Sequence, residues 1–122
     1  MNEEELKKRT KRFALQVIWL VEKLPQKRAA QIIGSQLLRS ATSVAANYRA
    51  ACRARSKADF VNKMGLVEEE ADESRFWLEM VIEASLLPAA SVQNLVREAD
   101  ELTAIAASSR KTARSKAQAN KQ

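Results

Sequence analysis

The side chains best placed to do chemistry in this sequence are basic. Arg49, Arg53, Arg55, Lys57 and Lys63 fall in one short stretch whose only acid is Asp59. Arg49 and Arg53 stand four apart, so on a helix they share a face, and two like charges there cost about 0.2–0.5 kcal/mol. A phosphate backbone would relieve that repulsion, and so would an acidic helix of the same or another subunit. Arg110, Lys111 and Arg114 carry the same sign near the C-terminus, as do Lys23, Lys27, Arg28 and Lys116. These eight residues, Arg49 to Lys63 and Arg110 to Arg114, are the candidate contacts to RNA or DNA.

Other chemistry has little to work with. The sequence contains no histidine, which removes the usual metal ligand and the usual proton shuttle near neutral pH. Without a histidine base, the serines and the single cysteine, Cys52, have nothing to activate them. Cys52 sits in an alanine-rich segment and reads as a small buried hydrophobe. The run Glu68, Glu69, Glu70, Asp72 and Glu73 lacks the Glu-x-x-His pattern of di-iron bundles. It reads as a solvated face or as salt-bridge partners for Arg39 or Arg49. There is no Walker, dinucleotide-binding, zinc, RNP or helix-turn-helix pattern. The sequence therefore predicts no catalytic residues, no metal and no cofactor, and so no enzyme.

Two further groups need explaining. Gln36, Ser40, Ser43 and Asn47 recur at spacings of four, three and four, which puts them on one helical face beside Arg39. With Glu69 and Glu73 they form a candidate polar network, structural in one reading and a lined groove in the other. The other group is apolar. Leu15 and Trp19 lie off the main stripe of their segment, and Phe76, Trp77 and Met80 widen another. They fit either a broad core or a subunit interface, where such residues are enriched. On the second reading the protein is a homo-oligomer.

The elements that hold these residues are helices. The sequence has 122 residues, two glycines and two prolines, is rich in alanine, and shows no period-two alternation. Pro25 and Pro88 each close one helix or open the next. Ser56, three residues before Asp59, is a capping-box-like start. Helices are predicted at about 3–23, 26–55, 57–86 and 89–109. Stripes such as Phe13–Val17–Leu20, Leu37–Ala41–Val44, Met64–Val67–Ala71 and Leu95–Ala99–Leu102 face the core. Short connections make sequential helices antiparallel, so the fold class is all-α, an up-down-up-down four-helix bundle. Residues 1–109 form its single domain, and 110–122 a basic, flexible tail.

Charge is segregated along the chain. Residues 23–63 carry nine bases and one acid, whereas 64–101 carry ten acids and two bases. Part of this cancels between helices, and the rest is left for partners. The N-terminal run MNEEELKKRTKR is charged and no segment is long and apolar enough to span a bilayer. A cytoplasmic, non-membrane protein is expected.

The stretch from Gln36 to Met80 resembles a known family, the four-helix-bundle proteins first noted in intervening sequences of 23S ribosomal RNA genes. The resemblance is carried by Gln36, Arg39, Ser40 and Ser43, by Ala46-Asn47-Tyr48, and by the corner Arg55-Ser56-Lys57. It continues through Phe60, Glu69, Glu70, Glu73 and Trp77-Leu78. Phe13, Leu24-Pro25, Glu98 and Glu101-Leu102 extend it over about residues 10–110. Asn47 is followed here by Tyr48-Arg49-Ala50, where many relatives continue Ile-Ala-Glu-Gly after the asparagine, and the missing acid and glycine mark a divergent branch. The resemblance implies a ring-like homopentamer. The accessory protein of diversity-generating retroelements, a basic pentamer that binds nucleic acid and works with a reverse transcriptase, is similar to this family. Residues and resemblance together lead to a non-catalytic homo-oligomer that binds nucleic acid through basic surfaces, with a reverse transcriptase as a possible partner. The alternative is a protein-interaction scaffold that binds no nucleic acid.

Overall fold

The computed structural model describes residues 1–120, with side chains through Lys116. The described residues form four helices: α1 (Glu3–Val21), α2 (Arg28–Cys52), α3 (Lys57–Glu83) and α4 (Ala89–Asn120). Two of the starts are capped by side chains. Asn2 caps α1 by accepting the Glu5 amide at 2.8 Å, and Glu3, Glu4 and Glu5 complement the dipole there. Ser56 caps α3 by accepting the Asp59 amide at 3.0 Å, at the predicted boundary. α3 ends in a Schellman motif: the Leu86 amide reaches the Val81 carbonyl and the Ser85 amide reaches that of Ile82. Ser85 takes the left-handed position at φ 56°, where glycine is the usual residue.

Most helix ends fall a few residues inside the predicted ones. α4 differs more, running to Asn120 instead of closing near 109. The segment after Ser109 is dominated by Ala, Arg, Lys and Gln, all strong helix formers, with only Thr112, Ser115 and Asn120 among them. Its first basic residue is also tied to α3, since Arg110 pairs with Glu68 at 2.9 Å. Of the expected flexible tail, residues 121 and 122 lie outside the described residues.

Consecutive helices pack side by side, and α1 closes the bundle against α4 through the slimmest of the four seams. The diagonal pairs, α1 with α3 and α2 with α4, bring no Cα atoms within 8 Å of each other among the described residues. Phe13, Leu37, Val44, Met64, Leu78, Val81 and Val92 are fully buried in the shared core. α1 and α2 approach closely at Gly34, where a Cβ would stand 2.9 Å from Leu24 Cδ1 and 3.3 Å from Val21 Cγ1. Gly65, in contrast, has only Arg110 Cδ nearby, at 3.7 Å. Gly65→Ala is therefore expected to raise stability by about 0.5–1 kcal/mol through helix propensity alone. Gly34→Ala should lose that gain to the displacement of Leu24. Urea denaturation checks the pair, and equal stabilisation by both would show that Leu24 yields freely.

Candidate nucleic-acid interface

The basic stretch becomes a ridge with a groove on each side. The C-terminal half of α2 presents Arg49 and Arg53 to solvent, one turn apart. On one flank, antiparallel packing of α1 brings Lys7 and Lys11 alongside, above a floor of Ala45 and Ala46. On the other flank, α3 brings Lys63 and Asp59 beside Ala46, Ala50 and the corner residue Arg55. Small alanine floors let an extended ligand lie close to the helices. Among the described residues no carboxylate comes within 4.0 Å of Arg49, Arg53, Arg55, Lys57, Lys63 or Lys11. The C-terminal dipole of α2 offsets part of the repulsion along the ridge, but it acts only on charges in the last turn. Lys7 is held by Glu3 and Glu4, each at 3.4 Å, and its pKa is raised mainly by the bond to Glu3. Lys57 lies round the corner, on the end of the bundle.

The C-terminal candidates lie elsewhere. Arg110 is partly buried in its pair with Glu68, and Arg114 lines a shallow groove with Glu68, Glu69 and Gly65 on the α3–α4 side. Lys111 is exposed on the same extended helix. These three do not join the α2 ridge, because α4 reaches only α3 and α1. Lys7 and Lys11, by contrast, belong to the ridge and were not among the sequence candidates.

The polar band of α2 forms a seam with α3. Arg39 donates to Glu70 at 3.0 Å, pairs with Glu73, and donates from Nε to Gln36 Oε1 at 3.3 Å. Trp77 Nε1 donates to Glu73 at 3.2 Å. Beneath them the Ser40 and Ser74 hydroxyls meet at 3.0 Å, both fully buried. Each also reaches a carbonyl one turn back, Leu37 for Ser40 and Glu70 for Ser74. Asn47 turns back on its own helix and donates to the Ser43 carbonyl at 2.9 Å. Glu69 is exposed and takes no part in the described contacts; Glu70 occupies the position expected of it. Ser74 was not a sequence candidate. Across the bundle, Arg9 grips Glu98 with two bonds of 2.7 Å and Glu101 at 2.9 Å, closing α1 on α4.

The apolar candidates fall into two separate patches. Trp19 is 58% exposed with Leu15 beside it on α1, and Phe76 is 52% exposed on α3. Trp77 and Met80 are half-buried, and the Phe76 and Trp77 rings meet edge to face at 4.9 Å. Since α1 and α3 are diagonal, the patches face opposite ways. Exposed Ile32 on α2 adds an apolar residue the sequence did not single out.

Cys52 is partly buried beside the Tyr48 hydroxyl. Burial raises the pKa of both groups, so the thiol stays protonated near neutrality and is a poor nucleophile. Among the described residues no cluster of three or more His, Cys, Asp or Glu could hold a metal ion, and no helix is long and apolar enough to cross a membrane.

Comparison with known proteins agrees with the four-helix fold. The family model for the 23S rRNA-intervening sequence protein matches residues 2–108. The crystal structure of a protein with unknown function from the S23 ribosomal protein family, from Bacteroides thetaiotaomicron, superposes with a TM-score of 0.83 at 30% identity. That match covers 91% of this chain and 99% of the other. No curated protein matches the sequence.

Proposed function

The chain belongs to the 23S rRNA-intervening sequence protein family, and we propose that it is a non-catalytic, homo-oligomeric bundle that binds nucleic acid along the Arg49–Arg53 ridge. The observation that carries this reading is the ridge itself. Arg49, Arg53, Arg55, Lys11 and Lys63 converge on one surface from three helices, with Asp59 as the single acid lining its grooves. The groove linings offer alanine methyls and cations, but no amide or hydroxyl side chain to read base edges. The chemistry suits phosphates, so binding is independent of sequence.

Assembly strengthens the reading. Two apolar patches on opposite faces suit head-to-tail contacts, which close into a ring when the rotation permits. Five subunits is the number implied by the resemblance, and a ring would repeat the basic ridge around its rim. A cytoplasmic setting goes with a nucleic-acid ligand. A reverse-transcriptase partner rests on the resemblance alone.

Fluorescence anisotropy with a labelled duplex across a salt series tests the binding. Five phosphate contacts per site give a slope of log K against log salt of about −4.5. Absence of binding at low salt would overturn the reading and favour the scaffold alternative.

A further inference from the structure

A cleft lies at one end of the bundle, next to the ridge and outside it. Ser40 opposite Ser74, Glu68 opposite Arg110 and Arg9 opposite Glu98 fix the helix registers. By those registers α2 ends opposite residue ~62 of α3, and α1 begins opposite residue ~105 of α4. The first turn of α3 and the last turns of α4 therefore continue past their neighbours. The core-facing side chains on this overhang lose the helices that would cover them. The result is a cleft of about 800 Å³, within the size range of small-molecule and nucleotide sites.

Its floor is apolar and partly aromatic, with Tyr48, Phe60 and Ile105. Its α4 wall carries the hydroxyls of Ser109 and Thr112, and its rim carries the cations Arg55 and Lys57. Glu3 is the only acid in the lining, and it is engaged by Lys7 at 3.4 Å. Arg55 lines both this cleft and the groove beside the ridge, so one unbroken basic path leads from Arg49 over the corner into the cleft. The ridge lacks aromatic rings and hydrogen-bonding amides, and the cleft holds the aromatic floor and the hydroxyls. That division fits a strand whose phosphates track the ridge and whose end leaves it.

We infer that the cleft takes an unpaired nucleotide, the terminal one of a strand bound along the ridge. The base packs against Phe60, Ser109 and Thr112 meet its polar edge, and Arg55 and Lys57 hold its phosphate. This rests on the nucleic-acid reading above and adds a preference for single-stranded ends that the ridge alone would not have.

The test compares three probes by anisotropy: a single-stranded 20-mer, a blunt duplex, and the same duplex with a three-nucleotide overhang. The overhang and single strand should bind more tightly than the blunt duplex. Phe60→Leu keeps apolar volume but removes the ring. It should weaken both by roughly tenfold, leaving the blunt duplex unchanged. Equal losses on all three probes, or none on any, would overturn the cleft assignment and leave the ridge intact. Failure of every probe to bind wild-type protein at low salt would overturn both. Should Phe60→Leu fail to fold, wild-type protein answers the question with 5-bromouracil as the last unpaired base. Photo-crosslinks at Tyr48, Phe60 or the facing turn of α4 support the assignment, and crosslinks confined to the α2 ridge overturn it.

Discussion

Arg49→Ala combined with Arg53→Ala is expected to weaken duplex binding about a hundredfold at 0.1 M salt and to make the salt slope shallower by about 1.8. Each phosphate neutralised contributes about 0.9 to that slope, which near 0.1 M is close to a factor of ten in affinity. The fold should not suffer. Both side chains are exposed, neither has a carboxylate partner among the described residues, and such surface changes stay within about 0.5 kcal/mol. Arg110→Ala makes the opposite prediction. It removes a partly buried partner of Glu68, so it should lower stability and leave the salt slope alone. Lys11→Ala should act with the ridge pair, reducing the slope by a further ~0.9. An unchanged slope in the Arg49/Arg53 double variant would show that phosphates do not meet this ridge.

The contrast between Arg110 and Lys11 shows which kind of information the sequence holds. Helix number, the break at Ser56 and the core stripes are local properties, carried by proline, a capping serine and apolar spacing, and they can be read directly. Charge partners depend on register between helices, which no single segment encodes. Arg110 falls in the segment expected to lie beyond the last helix, so its pairing with Glu68 is not foreseen; Lys11 draws no notice in the sequence because its approach to Ala45 depends on α1 packing against α2. Glu70 was nearer to being legible. It directly precedes buried Ala71, which turns it toward the edge of the core, whereas Glu69 points away. Ser74 lies on the same buried stripe as Ala71 and Leu78, and its hydroxyl finds Ser40 only because two small residues let α2 and α3 draw close. Polar type hid a position that spacing alone marked as buried.

The other large effect concerns assembly. Trp19→Asp and Phe76→Asp should each abolish the proposed homo-oligomer, because each places a charge at the centre of one of the two patches, where aromatic anchors commonly carry about 2 kcal/mol or more. The two variants are not equivalent, since α1 and α3 lie on opposite corners of the bundle. In the proposed head-to-tail assembly, the α1 patch of one subunit would seat on the α3 patch of the next. Trp19→Asp chains then keep a sound α3 patch, and Phe76→Asp chains a sound α1 patch. Either alone should be a monomer by mass measurement at micromolar concentration, and an equimolar mixture should form a one-to-one heterodimer that grows no further. An isologous dimer behaves differently: pairing through α1 alone would leave Phe76→Asp dimeric, and pairing through α3 alone would leave Trp19→Asp dimeric. Wild-type protein that is monomeric throughout would remove the assembly altogether, leaving Trp19 and Phe76 as solvent-exposed surface of a lone bundle. The ridge experiment would stand unaffected, because Arg49 and Arg53 belong to neither patch.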